Sequence, residues 1–316
     1  MTSLAADIGG TYSRLAWLDE RRPTTEQVYE NACFDSLESV IQHGRDAIGL
    51  GEHAIDRMVL AVPGPVQRDP IELTNINWRL SRDVLRQRFR VNQLTLVNDF
   101  QAAALGAIME PYEHLTVLNP GSPDEGPVVV TGAGTGLGMA WMARRDENDL
   151  PQATEGGHID FAPSGTDQVA LHGWLAERYG HVSYERILSG DGLLDVYRWR
   201  SGNAGHAGSP AEVSALVDTG DKHATRAVRL FVEIFAAYAG NLALAFNPSA
   251  GIYLCGGLTA HLACHFDTAT FMNAFGAKGR MSDVVRRVPV YLITRPNTGL
   301  TGAIRIANRT AASPWR

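Results

Sequence analysis

Twice in this chain an apolar run breaks at a glycine-rich turn and resumes as a second apolar run: LAADIGGT before YSRLAWLD at the start, and VVVTGAGTG before LGMAWMAR from residue 128. Each reads as two strands joined by a glycine loop. Between them, EQVYENACF reads as a third strand, SLESVIQHGRDAIG as an amphipathic helix, RMVLAVPGP as a fourth strand, SRDVLRQRFR as a helix and LTLVNDF as a fifth strand. Strand pairs followed by alternating helices and strands specify an α/β class with a mixed sheet. The two halves share this organisation without a residue-level repeat. The expected division is a small α/β domain over 1–110 and a large one over 111–300. A closing helix, GLTGAIRIANRT and onward over 301–316, packs back on the first domain and leaves a cleft between two lobes. NAGHAGSP (203–210) is a loop by composition.

With 316 residues, 45% hydrophobic and 20% charged, the chain can bury the cores of two such domains. Its 28 basic and 34 acidic residues leave a formal charge of −6 with no basic block, so it lacks the footprint of a nucleic-acid binder. A small-molecule partner is expected. Three cysteines without CxxC spacing argue against a disulfide framework or a cysteine zinc site and favour a reducing, cytoplasmic compartment. The N-terminus lacks a signal-peptide pattern. The most apolar long stretch, 227–246, contains Arg229, Glu233 and Asn241 and reads as a core helix, not a membrane span.

ADIGGT puts Asp7 at a strand end with Gly9, Gly10 and Thr11 in the turn, a loop whose uncovered N–H groups suit a polyphosphate. Asp7 could also orient a water on Mg²⁺. The same glycine pair suits a plain hairpin. GAGTGLG (132–138) is neither a Walker A loop, having no lysine, nor a dinucleotide fingerprint, because position 139 is Met. A third pair, Gly256 and Gly257, ends the strand IYLC. Three strand-end glycine loops in one chain favour nucleotide binding over three unrelated turns.

At LVNDF a buried strand ends in Asn98 and Asp99, just before the alanine-rich stretch QAAALGA. Asp99 suits a general base at the lip of a cleft, its proton affinity raised by partial desolvation; the competing reading is a helix cap. Asn98 offers donor and acceptor together for a sugar hydroxyl. Glu155 and His158 flank the glycines of TEGGH; two glycines disfavour a helix and no third ligand stands near, so a polar loop for hydroxyls accounts for them better than zinc. Glu185 falls in what reads as the first turn of a helix after Ser183, where a carboxylate is commonly structural. Nucleotide loops combined with Asn, Asp, Glu and His point to phosphoryl transfer onto a neutral polyol.

DIGGT, LTNINW, LVNDF, GAGTGLG, TEGGHIDFAP, GHVSYERILSGDGL, GNLALAFNP, CGG and VYLITRPNTGLTGA, in this order over residues 7–303, resemble the enterobacterial-type bacterial glucokinases, within the sugar kinase, heat-shock ATPase and actin superfamily. That resemblance implies a two-lobed ribonuclease H-like, actin-like ATPase fold and phosphorylation of glucose at its 6-hydroxyl by ATP and Mg²⁺. Asp99 would be the base, and Asn98, Glu155, His158 and Glu185 would hold the sugar. The ATP site would comprise Ala6, Asp7, Ile8, Gly9, Gly10 and Thr11, with Gly134, Thr135 and Gly136 at the phosphates and Gly256 and Gly257 under the adenosine. A homodimer is implied as well. The absence of cysteines between Cys33 and Cys255 sets the chain apart from the zinc-bearing group of related kinases, and Thr154 stands before Glu155 where many members have Gly. Other readings are a different hexose or amino-sugar kinase, a non-catalytic sugar sensor, and a chaperone-like ATPase. Retention of Asp99, the lack of a helix-turn-helix and the presence of the sugar cluster speak against the last two.

Overall fold

The computed structural model describes residues 2–19, 22–74, 76–143, 151–202, 206–295 and 297–308. They divide into two compact units, the first drawn from Met1–Met109, Asp146–Gln152 and Asn297–Arg316, the second from Glu110–Arg145 and Ala153–Pro296.

In the first unit, strands β1 (Thr2–Ile8), β2 (Tyr12–Asp19) and β3 (Arg22–Glu30) are followed by helix α1 (Leu37–Ala47), β4 (Arg57–Val62), and the short pair β5 (Ile71–Glu72) and β6 (Arg79–Leu80). Helix α2 (Arg82–Phe89), β7 (Gln93–Asn98) and α3 (Asp99–Ile108) complete its N-terminal part. The main sheet runs β3-β2-β1-β4-β7, antiparallel from β3 to β1 and parallel from β1 to β7. EQVYENACF was expected to be extended throughout, but only its start lies in β3: Asn31–Cys33 turn as a short 3-10 helix.

Side-chain size sorts the two faces of this sheet. Leu4, Ile8, Leu15, Met58, Leu60 and Val62 face a bulky core shared with Leu37, Leu85 and Phe89 of α1 and α2. Ala5, Ala16, Val59 and Ala61 face Ala102 and Leu105 of α3 and Leu300, Ala303 and Ile306 of the C-terminal helix Thr298–Asn308. Small residues on that face admit two helices in close contact. A Cβ on Gly106 would collide with Thr298 O, and one on Gly302 with Ala102 O, so the helices cross backbone to backbone. That crossing sets the start of the C-terminal helix beside β1. Residues 309–316 of the expected closing helix lie outside the described residues.

The second unit begins with β8 (Leu115–Asn119), β9 (Val128–Ala133), β10 (Leu137–Met142) and β11 (Gln152–Thr154). Helices α4 (Gly165–Tyr179), α5 (Gly190–Ser201), α6 (Pro210–Asp218) and α7 (Lys222–Phe246) follow, then β12 (Gly251–Cys255), α8 (Gly257–His261), α9 (Thr268–Phe275), α10 (Ser282–Arg286) and β13 (Val290–Ile293); the C-terminal helix is α11. Its sheet runs β11-β10-β9-β12-β13-β8. Numbered from β9, the order is 3-2-1-4-5 as in the first unit, with β8 added antiparallel at the far edge. The duplicated plan is thus present in strand order. Helix α7 is apolar and long enough to cross a bilayer, but Leu230, Phe231, Ile234, Phe235 and Tyr238 are buried in the core of this unit. Residues 203–205 of the expected loop lie outside the described residues; Ser209 beyond them caps α6.

Candidate active site

In the first unit β1 delivers Asp7 between two core side chains. Ala6 and Ile8 are fully buried toward α1 and α2, so of the expected nucleotide-contacting residues these two can offer only backbone. By strand alternation Asp7 points to the opposite face, where a Cβ on Gly299 in the first turn of α11 would lie 2.6 Å from its carboxyl carbon. Burial pushes the Asp7 carboxyl up to about 6; Arg14, 3.7 Å away, opposes the rise and the Asp99 carboxylate adds to it.

The turn after β1 is held by a residue that sequence reasoning missed. Asn31 is buried and donates its amide to Gly9 O at 2.8 Å and Gly10 O at 3.3 Å, while accepting from the Ser13 hydroxyl at 2.6 Å. In a planar trans peptide the N–H opposes the carbonyl, so turning these two carbonyls toward Asn31 aims the N–H groups of Gly10 and Thr11 the other way. A donor pair beside the exposed Thr11 is what a polyphosphate needs.

At the start of α3 the cap is Asn98, not Asp99. The Asn98 Oδ1 accepts from Phe100 N (3.0 Å) and Gln101 N (3.2 Å), and Asn98 N donates in turn to Gln101 Oε1 (3.3 Å). The acceptor end of Asn98, expected to serve a hydroxyl, is therefore committed to the helix, and its NH₂ is the end left to donate. Asp99, the first helical residue, is part-exposed, accepts from Phe100 N at 2.8 Å and is electrostatically coupled to Asp7.

In the second unit the loop from β9 to β10 carries Gly134, Thr135 and Gly136. Gly134 N donates to Gly136 O at 2.8 Å, closing the turn, and Gly190 N, at the start of α5, donates to Gly134 O at 2.9 Å. Helix α5 begins at Gly190 under the cap of Ser189, so Glu185 lies in the preceding turn and not in the first helical turn expected after Ser183. Both serines accept the N–H three residues on, Ser183 from Arg186 at 3.4 Å and Ser189 from Gly192 at 3.1 Å, but only the chain after Ser189 continues as a helix. From its turn, Glu185 reaches the glycine loop and accepts Leu137 N–H at 2.9 Å.

TEGGH forms a single 3-10 turn, Gly156–His158, with the Thr154 hydroxyl accepting from Gly156 N at 3.1 Å. His158 stands between two carboxylates, 3.7 Å from Glu185 and 3.9 Å from Glu155. These spacings are electrostatic contacts beyond hydrogen-bond range. Among the described residues no His, Cys, Asp or Glu cluster fit to hold a metal occurs. Gly256, at φ 99°, and Gly257 follow β12; a Cβ on Gly256 would strike Ala133 O, so this third loop abuts the second at its base. A cavity of about 340 Å³ in the same unit, lined in part by Tyr184, Asn241 and Lys278, contains none of these residues.

Residues 4–310 match the family model Glucokinase. The chain is 35% identical over 308 residues to the glucokinase of Marinobacter nauticus and 36% identical over 310 residues to that of Erwinia tasmaniensis, covering 95% of each chain in both cases. It superposes on the crystal structure of a glucokinase from an Antarctic psychrotroph with a TM-score of 0.79 at 29% identity, over 98% of this chain and 99% of that one. At 20% identity and a TM-score of 0.65 it shares the fold of a ROK family glucokinase from Streptomyces griseus solved with glucose and AMPPNP. Each unit's 3-2-1-4-5 sheet is accordingly that of the actin-like ATPase fold. By the match along nearly its whole length, this chain belongs to the glucokinase family.

Proposed function

We propose that the chain transfers the γ-phosphoryl group of MgATP to the 6-hydroxyl of glucose, with Asp99 taking the hydroxyl proton. The observation that carries this reading is the family match over residues 4–310 in a chain that keeps a carboxylate at Asp99 while Asn98 performs the capping. The N-cap of α3 is Asn98; Asp99, although it accepts the N–H of Phe100, is not the cap.

The other residues divide the work. The loops at Gly9, Gly10 and Thr11 and at Gly134, Thr135 and Gly136 supply donors to the phosphates, and Gly256 and Gly257 leave space for the adenosine. Asn98, through its NH₂, and Glu155, His158 and Glu185 hold the sugar hydroxyls. Asp7 and Asp99 are two coupled carboxylates, one held at a raised proton affinity, and a divalent cation carried on the nucleotide relieves such a pair; Asp7 would hold it through a water. That cation neutralises charge on the transferred phosphoryl group. An ionised Asp99 removes the proton as the new ester bond forms and the β–γ bond breaks, a contribution of ~10²–10⁴ in rate. Discrimination among sugars rests more on Glu185, 30% exposed, than on Glu155, 92% exposed, because only a desolvated carboxylate is penalised when its hydroxyl is missing.

The test is a coupled assay of glucose 6-phosphate formation with ATP and Mg²⁺, run beside Asp99→Asn. The variant is expected to bind glucose by calorimetry and to lose kcat by about 10³-fold or more. Near-normal turnover would assign the proton to another group, and turnover of a different hexose or amino sugar in preference to glucose would move the substrate.

A further inference from the structure

Glu185 belongs to two structures at once. Its backbone N–H donates to Gly157 O (2.9 Å) in the TEGGH turn, and one carboxylate oxygen stands 3.7 Å from His158 Nδ1. The other oxygen accepts the N–H of Leu137 at 2.9 Å, where the glycine loop becomes β10. Gly136 is shaped around that carboxylate, since a Cβ there would lie 2.5 Å from the same oxygen. A side chain that served only a sugar has no need of a loop residue 48 positions away in sequence. A loop that needed only a conventional turn has no need of a charged acceptor.

We propose that Glu185 is a positioning residue for the 134–136 loop and that it couples sugar recognition to nucleotide recognition. The proposal rests on the reading that this loop meets the ATP phosphates and Glu185 the sugar. The two oxygens of a carboxylate turn together about one bond. A hydroxyl donated to the His158-facing oxygen fixes the plane of the group and with it the acceptor for Leu137 N–H, so a bound sugar orders the loop before the nucleotide arrives. Ordering already achieved by the first ligand is not lost again on binding the second, and the benefit is reciprocal. Nucleotide therefore tightens sugar by the factor with which sugar tightens nucleotide. A factor of about ten lies within the usual span of such couplings.

Calorimetry on the full-length protein with the Mg²⁺ complex of AMPPNP, with and without glucose, tests this. Wild type should bind the analogue about tenfold tighter with glucose present. Glu185→Ala should bind it several-fold more weakly than wild type even without sugar, and glucose should then change nothing. Glu185→Gln keeps an oxygen that can accept from Leu137 and should restore sugar-free affinity to within twofold of wild type. If Glu185→Ala binds the analogue without sugar as wild type does, Glu185 is a sugar ligand only and the proposal falls; failure of Glu185→Gln to restore binding removes the Leu137 bond as its basis. Thr135→Ala separates this from the underlying reading: if it too leaves the analogue's affinity unchanged, the loop is not a phosphate site at all. Should Glu185→Ala fail to fold, hydrogen exchange of the Leu137 amide in wild type decides. Glucose alone should slow it, and an unchanged rate overturns the coupling.

Discussion

The two glycine loops occupy the same place in the shared 3-2-1-4-5 strand order, after its strand 1 (β1 and β9), yet opposite chemistry holds them. In the first unit a buried neutral amide, Asn31, donates into the carbonyls of Gly9 and Gly10. In the second a carboxylate, Glu185, accepts the N–H of Leu137, and the start of α5 donates to Gly134 O. The strands differ too: Asp7 stands one residue before the end of β1, whereas the equivalent position in β9 is Gly132, packed against Cys255 O. Sheet topology decides where a loop falls; residues distant in sequence decide how it is held and what charge stands beside it. The first unit offers an acid at its strand end, suited to a cation and a proton. The second offers a loop tethered through Glu185 to the turn that carries His158.

Asp7 supplies the largest expected stability effect in this contrast, because its unit bears a cost that Gly132 spares the other. A rise from 3.8 to about 6 is worth up to about 3 kcal/mol. A carboxyl with a raised folded-state value stabilises the fold below its unfolded value, near 3.8, and that contribution is lost as pH climbs through 6. Asp7→Asn, which cannot ionise, should therefore match wild type in acid and exceed it at pH 8, in urea melts, by as much as about 3 kcal/mol, a figure already net of the attraction to Arg14. Its activity should be lost at every pH, while the wild-type rate falls below about pH 6 as Asp7 takes up its proton. Equal stability of variant and wild type at pH 8 would show that no electrostatic cost resides at the end of β1.

Asn31 sharpens the contrast in polarity. Removing its side chain strands two loop carbonyls and the Ser13 hydroxyl in a buried site, so Asn31→Ala should cost about 2 kcal/mol and raise KM for ATP. Asn31→Asp is the more informative change. It keeps the shape but puts an acceptor against two acceptors, and it should be less stable than the alanine variant. An aspartate that restores wild-type stability, measured by thermal melting, would mean that the first loop tolerates the second loop's manner of restraint.

Much of this plan was legible in the sequence because it is written locally. Short apolar runs mark β1, β4 and β9, and glycine pairs mark the turns that follow β1 and β12. What escaped is held across distance. Asn31 reaches Gly9 over 22 positions, and nothing in ENACF distinguishes a buried asparagine from a turn residue. Gly299 accommodates Asp7 from the other end of the chain, a requirement visible only once α3 and α11 have crossed. Ser183 before Glu185 reads locally as a helix start, yet the chain there makes only a turn, and the helix begins at Gly190, whose N–H is bonded to the distant Gly134 O. Asn98 and Asp99 were legible as a pair, but the division of labour between them was not, since either side chain can cap.

That division gives the smallest effect and the most selective one. If Asn98 only caps α3, any good cap replaces it; if its NH₂ also holds a hydroxyl, a cap without that group will fold and bind sugar poorly. Serine is such a residue, equal to asparagine as an N-cap and lacking the amide donors. Asn98→Ser should change stability by no more than about 0.5 kcal/mol, against about 1 kcal/mol for Asn98→Ala. Its KM for glucose should nevertheless rise about tenfold, as expected for one lost hydrogen bond of about 1.4 kcal/mol, with KM for ATP unchanged. A serine variant with wild-type KM for glucose would reduce Asn98 to a cap and leave Asp99 as the only residue of this helix start to meet the sugar. A variant that lost stability as alanine does would show that the cap depends on the amide itself, and with it the orientation of the neighbouring carboxylate.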